Sequence, residues 1–174
     1  MISEPDRTAL LAIARGAITA YVNGAPPPAH PGGGLARQSG AFVTLENHGE
    51  LRGCIGHIEA DRPLAAVVAD CAVAACSTDP RFPAVTPGEL PHLDIEISVL
   101  GPLEPVNDVS EISIGRHGLV VEKGWHRGLL LPQVATEWNW DRQTFLEQTC
   151  HKAGLPRDAW RNGASVWKFE AEVF

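Results

Sequence analysis

Apolar residues recur at helical spacing in two stretches of the first half of the chain. In the first stretch Ser3 can cap a helix and Pro5 fits its first turn. The second stretch, residues 63–78, is rich in alanine and valine and stops at Asp79-Pro80. The pattern predicts an amphipathic helix near the start of the chain and a buried helix over residues 63–78. The apolar positions of the first helix are Leu10, Leu11, Ala14, Ala17, Ile18 and Tyr21.

Three shorter stretches have the pattern of β-strands. Residues 41–46 and 51–58 are apolar runs, and Asn47-His48-Gly49-Glu50 between them has the chemistry of a hairpin turn. From residue 93 to residue 100 polar and apolar side chains alternate, which is typical of a half-buried strand. Its polar face carries Asp94, Glu96 and Ser98. Glu96 is therefore a candidate for the polar face near a site.

The second half of the chain again mixes strands and helices. Residues 119–121 and 128–131 indicate two strands joined through Gly124-Trp125-His126. Asp141 can cap a helix that runs to residue 153, and residues 166–173 are expected to close the protein as a strand. Hairpins and helices without regular strand–helix alternation favour an α+β fold. We expect a mostly antiparallel sheet flanked by helices, with a second, smaller lobe.

Length and composition favour one folded domain. A chain of 174 residues with a 44% hydrophobic fraction can bury a substantial core, so we expect a single domain over residues 1–174 that has room for two lobes. Residues 23–37 hold three consecutive prolines and three consecutive glycines, which continue neither a helix nor a strand. The sequence predicts a flexible surface loop there.

Net charge and cysteine content indicate which classes of partner and which cellular compartment to expect. The chain has 14 Lys and Arg against 21 Asp and Glu, a net charge of -7, which argues against a nonspecific nucleic-acid surface. No apolar run reaches the roughly 20 residues that cross a bilayer, so no membrane association is expected. The acidic start, with Glu4 and Asp6, does not resemble a signal peptide. We expect a cytoplasmic protein with reduced thiols.

The most informative stretch for function is Leu51-Arg52-Gly53-Cys54-Ile55-Gly56. Glycine lets a ligand or a second chain segment approach the main chain closely, so Gly53 and Gly56 are candidate binding positions. A guanidinium close to the sulfur would favour the thiolate of Cys54, the form that acts as nucleophile or metal ligand. The alternative is that Cys54 is a small buried apolar residue and the glycines only shape a bend.

The same hexapeptide resembles the signature of the AMMECR-domain family, whose microbial members are named AmmeMemoRadiSam system protein A. The resemblance spans nearly the whole chain, and its further motifs follow in the family's order. They are Asp79-Pro80-Arg81-Phe82-Pro83, Thr86-Pro87-Gly88-Glu89-Leu90, Asp94-Ile95-Glu96-Ile97-Ser98-Val99-Leu100, Gly115-Arg116-His117-Gly118-Leu119, Leu131-Pro132-Gln133-Val134-Ala135 and Cys150-His151-Lys152-Ala153-Gly154-Leu155. The family name implies work beside a radical SAM enzyme and a Memo-like protein, with the cluster and the radical on the partner chain.

Several residues could carry chemistry with Cys54. His117 lies between glycines and falls on the family's glycine-histidine-glycine position, and a histidine distant in sequence is the usual partner of a thiol nucleophile. Arg52 and Arg81 could bind an anionic group with their forked donors, or could instead form salt bridges. We expect Cys54 and His117 as catalytic candidates, and Arg52, Gly53, Gly56, Glu96 and Arg81 as substrate-binding candidates.

Other motifs are missing from the sequence. It has no phosphate loop, dinucleotide fingerprint, serine elbow or zinc-protease helix, so no cofactor is predicted. The cysteines at 54, 71, 76 and 150 lack the close spacing that ligates an iron-sulfur cluster. Cys71, Cys76 and Cys150 are expected to pack in the core, and no metal site is predicted.

Three functions remain open. The preferred one is an accessory component of a radical SAM-linked modification system that uses a Cys54-centred site to bind a small molecule or a modified substrate. The second is a cysteine-dependent enzyme with Cys54 as nucleophile and His117 as acid and base. The third is a non-catalytic module that binds protein or, if it carries a local basic patch, nucleic acid.

Overall fold

The computed structural model describes residues 1–29 and 34–174, and these residues form four α-helices and eight β-strands. In chain order they are α1 (Glu4–Val22), β1 (Ala41–Asn47), β2 (Glu50–His57), α2 (Leu64–Ser77), β3 (Leu93–Leu100), β4 (Glu104–Pro105), β5 (Gly118–Lys123), β6 (His126–Leu130), α3 (Pro132–Glu137), α4 (Arg142–Lys152), β7 (Ser165–Phe169) and β8 (Ala171–Val173). None of the helices in the described ranges is both long enough and apolar enough to cross a membrane.

The chain divides into two compact units, Met1–Leu100 with Glu172–Phe174, and Gly101–Ala171. The first unit contains α1, α2 and a sheet with the strand order β2-β1-β3-β8. The second unit contains α3, α4 and a sheet with the strand order β4-β7-β5-β6. Strand β1 pairs antiparallel with β2 and β3, and β7 pairs antiparallel with β4 and β5. The predicted α+β class is confirmed.

The two predicted helices of the first unit are present. In α1 the Ser3 side chain accepts a hydrogen bond from the Asp6 amide, and a proline lies in the first turn as expected. Helix α2 is buried along most of its length because its small alanine and valine side chains allow close packing. Cys71 and Cys76 lie among its buried residues, so their predicted core positions are confirmed.

The core of the first unit lies between these helices and one face of the sheet. Ala41, Val43 and Leu45 alternate along β1 and are fully buried, whereas Phe42 and Thr44 on the other face are half-buried. Strand β1 is central, and β2 lies at the edge of the sheet. The face that carries Thr44 is therefore the face opposite the helical core.

The second unit has core clusters of its own. The larger one consists of Ile112, Leu119, Ala135, Phe145 and Leu146, and a smaller one consists of Val121, Cys150 and Ala159. The expected cap is present, because the Asp141 carboxylate accepts the Thr144 amide hydrogen at the start of α4. Cys150 of α4 is buried, as predicted.

Two segments differ from the prediction or lie partly outside the structure. The closing strand predicted over residues 166–173 is two strands, since β7 pairs in the second sheet and β8 belongs to the first sheet. Residues 30–33 of the predicted flexible loop lie outside the described residues, and residues 34–36 form a short 3-10 turn.

Candidate functional site

Cys54 lies on the edge strand β2 and is half-buried. Its strand partner in the register is Thr44 of β1, so both side chains are on the sheet face opposite the helical core. The Thr44 hydroxyl donates a hydrogen bond to the Cys54 sulfur over 3.3 Å. A donor of this kind stabilises a thiolate more than a thiol.

The main chain of Cys54 is held on both sides by residues of the turn that follows α2. Its amide donates to Oδ2 of Asp79 over 2.9 Å, and its carbonyl accepts from Nη2 of Arg81 over 3.4 Å. The Asp79 side chain is only 2% exposed, although it is a carboxylate. Cys54 is thus fixed by a buried acid and a guanidinium that also bond to each other.

The electrostatics of this turn follow from the pair of Asp79 and Arg81. Oδ1 of Asp79 accepts from the Arg81 amide and Nε, and Oδ2 accepts from Nη2 over 2.7 Å. The Arg81 guanidinium, aided by the Cys54 amide, holds the pKa of Asp79 well below its usual range despite burial. The structure thus shows the salt bridge of the two alternatives raised for Arg81, half of its side chain is exposed, and binding of an anionic group by Arg81 stays a prediction.

Arg52 has a different environment. The strand register shifts between Leu45 and Glu46, so that Arg52 is the extra residue of a bulge on β2. Its Nε donates to Oε1 of Glu89 over 2.7 Å, and Nη1 donates to the Pro83 carbonyl over 2.8 Å. The sequence left two uses open for Arg52, binding of an anionic group or a salt bridge. The structure shows the salt bridge, to Glu89, and binding of substrate by Arg52 stays a prediction.

Glu89 completes this connection. Its Oε2 accepts from the amide and the hydroxyl of Thr86, and the bond from the amide is part of the capping box of the short helical turn at Pro87–His92. The Arg52 guanidinium and the Thr86 amide lower the pKa of Glu89 to about 2. Arg52 therefore fastens the edge strand to the segment that precedes β3.

The two glycines of the hexapeptide are packed closely against other segments of the same chain. A Cβ at Gly53 would lie 2.1 Å from the Ala75 carbonyl oxygen of α2, and a Cβ at Gly56 would lie 2.3 Å from the Phe42 ring. Gly53 lets β2 approach the backbone of α2, and Gly56 lets an aromatic ring lie over the strand. Of the two expected uses of these glycines, close approach of a second chain segment is the one seen here.

Glu96 of β3 pairs in register with Thr44, which in turn pairs with Cys54. The three side chains form a row across the sheet on the face opposite the helical core. The structure therefore places Glu96 on the same face as Cys54, two strands away. Glu96 is exposed at this position.

His117 belongs to the second unit, in the turn before β5. Its ring is half-buried, and Nδ1 accepts a hydrogen bond from the Ser113 amide over 3.1 Å. Burial, and then the charges of Lys168 and Arg116, lower the pKa of His117. Cys54 and His117 thus lie in different units, and their pairing stays a prediction.

The remaining cysteines lack the accessibility of Cys54. Burial raises the pKa of Cys71 and of Cys76 to about 11, and it also raises the pKa of Cys150. Within the described ranges no three His, Cys, Asp or Glu side chains are grouped so as to hold a metal ion. Chemistry at a thiol is therefore best placed at Cys54.

Comparison with known proteins identifies the family. The family model described as AMMECR1 matches residues 11–174, which includes the hexapeptide and the turn that holds it. This chain belongs to the AMMECR1 family. The expected family resemblance is confirmed at this level.

Relatives of this chain are similar over most of their length. A protein of Methanothermobacter thermautotrophicus is 44% identical over 183 residues, covering 99% of this chain and 95% of the relative. A protein of Thermococcus gammatolerans is 46% identical over 179 residues, covering 95% of this chain and 87% of the relative. The names of both proteins state no activity.

A solved structure has the same fold. The crystal structure of the uncharacterized protein PH0010 from Pyrococcus horikoshii matches with a TM-score of 0.87 and 41% sequence identity. The match covers 94% of this chain and 88% of that chain. This chain and that protein therefore share one fold over most of their lengths.

Two residues of the site were missed from the sequence. In the sequence Asp79 lies at the end of the second predicted helix and at the start of a family motif, and no role in the site is predicted for it. An aspartate two residues before Arg81 is a common turn former, and its carboxylate does accept the Arg81 amide hydrogen. Thr44 carried no signal, because its pairing with Cys54 depends on the bulge at Arg52. Both contact Cys54 directly.

Proposed function

We propose that this AMMECR1-family chain is an accessory component of a radical SAM-linked modification system, and that it binds its substrate or partner at the Cys54 site. In this proposal a radical SAM enzyme supplies the cluster and the radical, and a Memo-like protein is the second partner. The proposal of that system rests on the resemblance to AmmeMemoRadiSam system protein A. The proposal of the site rests on the structure of this chain.

One observation supports the site above all others. Cys54 is the cysteine that is not buried, and its main chain is fixed on both sides by Asp79 and Arg81. Burial of a carboxylate costs free energy unless the group is well paired. The buried Asp79 carboxylate is paired with Arg81 and with the Cys54 amide, and these bonds hold the main chain of Cys54 in one position. A half-buried thiol at a fixed position, next to an arginine whose side chain is half exposed, suits recognition of a polar or anionic group.

Capture by the proposed partners tests this function. The tagged chain is co-expressed with a Memo-like protein and a radical SAM enzyme from the same organism, and retained proteins are identified by mass spectrometry. We expect both partners to be retained by the parent chain and less of them by Cys54→Ser. Cys150→Ala, a change at a buried cysteine of the second unit, is the matched control and should retain both.

Two results would contradict the proposal in different ways. If the parent chain retains neither partner, the accessory function is wrong. If Cys54→Ser retains as much as the parent, the function stands but the Cys54 site does not take part in it.

A second candidate is a cysteine-dependent enzyme, and the Thr44 contact favours it. A hydroxyl that donates to the sulfur lowers the free energy of the thiolate relative to the thiol. A nucleophilic Cys54 would then react with an electrophilic group of a small substrate.

Alkylation of the four cysteines as a function of pH tests the nucleophile. Peptide mass spectrometry follows each site in the parent and in Thr44→Val, with Thr78→Val as control because the Thr78 hydroxyl bonds the Ala74 carbonyl instead. If Cys54 is a nucleophile, it should react fast near neutral pH in the parent chain. Thr44→Val should then raise the pH at which the alkylation rate of Cys54 reaches half of its maximum. Slow reaction of Cys54 over the whole neutral range would contradict the enzyme function.

A further inference from the structure

We propose that His117 is held as a neutral imidazole that donates a hydrogen bond from Nε2 to a carbonyl oxygen of a ligand at the second unit, and that it does not act as a proton acceptor. This goes beyond the proposed function, because it concerns residues of the second unit and does not depend on Cys54. It also assigns His117 a role different from the acid and base role that it has in the second function left open by the sequence.

The first step of the argument is the hydrogen bond at Nδ1. The Ser113 amide can only donate, so the Nδ1 atom that accepts from it over 3.1 Å carries no proton. A neutral imidazole without a proton on Nδ1 carries its proton on Nε2. The tautomer of His117 is therefore fixed by a main-chain group.

The second step is that the turn holds the ring in this position. The amides of Arg116 and His117 both donate to the Ser113 carbonyl, and Gly115 adopts a positive φ of 82° that allows the turn. The Ser113 amide and the His117 ring are thus parts of one closed turn. Protonation at Nδ1 would replace an accepted hydrogen bond by two facing donors.

The third step concerns the charges around the ring. Lys168 and Arg116 disfavour a proton on His117, and Glu170 and Glu104 favour one, with burial as the largest influence against it. Both cations already have carboxylate partners, since Arg116 pairs with Glu170 and Lys168 pairs with Glu111. With these charges compensated, the surroundings suit an uncharged oxygen acceptor better than a further anion.

The last step concerns the N–H group at Nε2, which is able to donate a hydrogen bond to a ligand. Within the described residues of its unit Nε2 has no hydrogen-bond acceptor, and the ring is half-buried rather than fully enclosed. A neutral imidazole N–H is able to polarise a carbonyl group, as the handling of carbonyl substrates by neutral histidines shows. A carbonyl oxygen of an amide, ester or ketone is therefore the ligand group that this geometry fits.

Nitrogen NMR of the full chain tests the tautomer. Long-range ¹H–¹⁵N spectra, assigned with His117→Gln, are recorded while the pH is lowered from 8 to 4.5. We expect an unprotonated Nδ1 and a protonated Nε2 at neutral pH, and a titration midpoint below 6.5. A ring that exchanges between both tautomers, or that carries two protons at neutral pH, would overturn the proposal.

Titration with N-methylacetamide tests the ligand group. This probe should move the Nε2 resonance of His117 more than that of the exposed His126, which reports the effect of the probe on the solvent. Equal movement at both histidines would show that His117 binds no carbonyl group. Both measurements are independent of partner capture by Cys54, so their failure leaves the proposed function untouched.

Discussion

The Asp79 carboxylate is the residue on which the geometry of Cys54 depends most directly. It is almost completely buried, and it accepts hydrogen bonds from the amides of Cys54 and Arg81 as well as from the Arg81 side chain. A carboxylate has acceptor sites for all of these donors, whereas an amide of the same shape has only one acceptor atom. The charge and the shape of Asp79 are therefore both needed.

Asp79→Asn should destabilise the first unit and loosen Cys54. One donor of Cys54 or Arg81 would face an NH₂ group, and the cost of an unsatisfied buried donor is about 1–3 kcal/mol. Urea unfolding followed by far-UV circular dichroism measures the stability, and amide hydrogen exchange at Cys54 measures the loosening. The exposed Asp94→Asn on β3 is the control and should change neither.

Unchanged protection of the Cys54 amide in Asp79→Asn would contradict this role. In that case the hydrogen bond at 2.9 Å would not restrain the strand in solution. A loss of stability alone would not be enough, because it could come from the pair of Asp79 and Arg81.

Strand β2 concentrates the contacts of the hexapeptide in one element. It is an edge strand with three kinds of contact outside the sheet. The bulged Arg52 bonds to Glu89, Gly53 packs closely against α2, and the amide of Cys54 bonds to Asp79. Each of these contacts leads to a different segment of the first unit. The strand therefore keeps its position by contacts on several sides rather than by pairing on both edges.

Gly53→Ala tests the packing of this strand on α2. The new Cβ would lie 2.1 Å from the Ala75 carbonyl oxygen, and since both groups are on the backbone, the two elements must move apart. Overpacking of this kind costs about 1–3 kcal/mol. Gly88→Ala is the matched control, because nothing lies within 4 Å of a Cβ there and its φ is not positive.

The comparison of the two variants decides the interpretation. Urea midpoints by circular dichroism are appropriate, since α1 and α2, the two longest helices, belong to the first unit. If Gly53→Ala is as stable as Gly88→Ala, the close approach of β2 and α2 is not a constraint on the fold.

The elements were predicted well from the sequence because their signals are local. The helix expected over residues 63–78 is found at Leu64–Ser77, and the hairpin strands agree within two residues. Caps and apolar periodicity depend only on neighbouring residues, so one sequence is enough to find them. The division of the last predicted strand was missed because Glu170 lies between strands of two different sheets, which is a tertiary feature.

The contacts of the site could be predicted only in part. The hairpin turn alone would pair Thr44 with Gly53, and the bulge at Arg52 moves the pairing to Cys54. The carboxylate of Asp79 reaches Cys54 across 25 positions of the sequence, and no local pattern records such a contact. Cys54 itself was found because glycines and an arginine flank it, which is a local signal.

At the scale of the whole molecule, the two units can be followed separately. All five tryptophans, at positions 125, 138, 140, 160 and 167, lie in the second unit, so their fluorescence reports that unit. The two longest helices lie in the first unit and dominate the helical circular dichroism signal. Each variant can therefore be assigned to the unit that it affects.

The stability of the first unit in acid should depend on Glu89. Its pKa is lowered from 4.5 to about 2 in the folded state, so the folded state binds fewer protons than the unfolded state in this range. The resulting stability is fully present above pH 4.5 and is lost as the pH falls from 4.5 towards 2.

A glutamine at position 89 cannot ionise. Glu89→Gln should therefore have a lower unfolding free energy than the parent at pH 6, and its unfolding free energy should fall less steeply below pH 4.5. Glu137→Gln, an exposed position in the second unit, is the control. Parallel curves of unfolding free energy for the parent and Glu89→Gln between pH 6 and 3 would mean that the ionised Glu89, with its contacts to Arg52 and Thr86, does not stabilise the molecule.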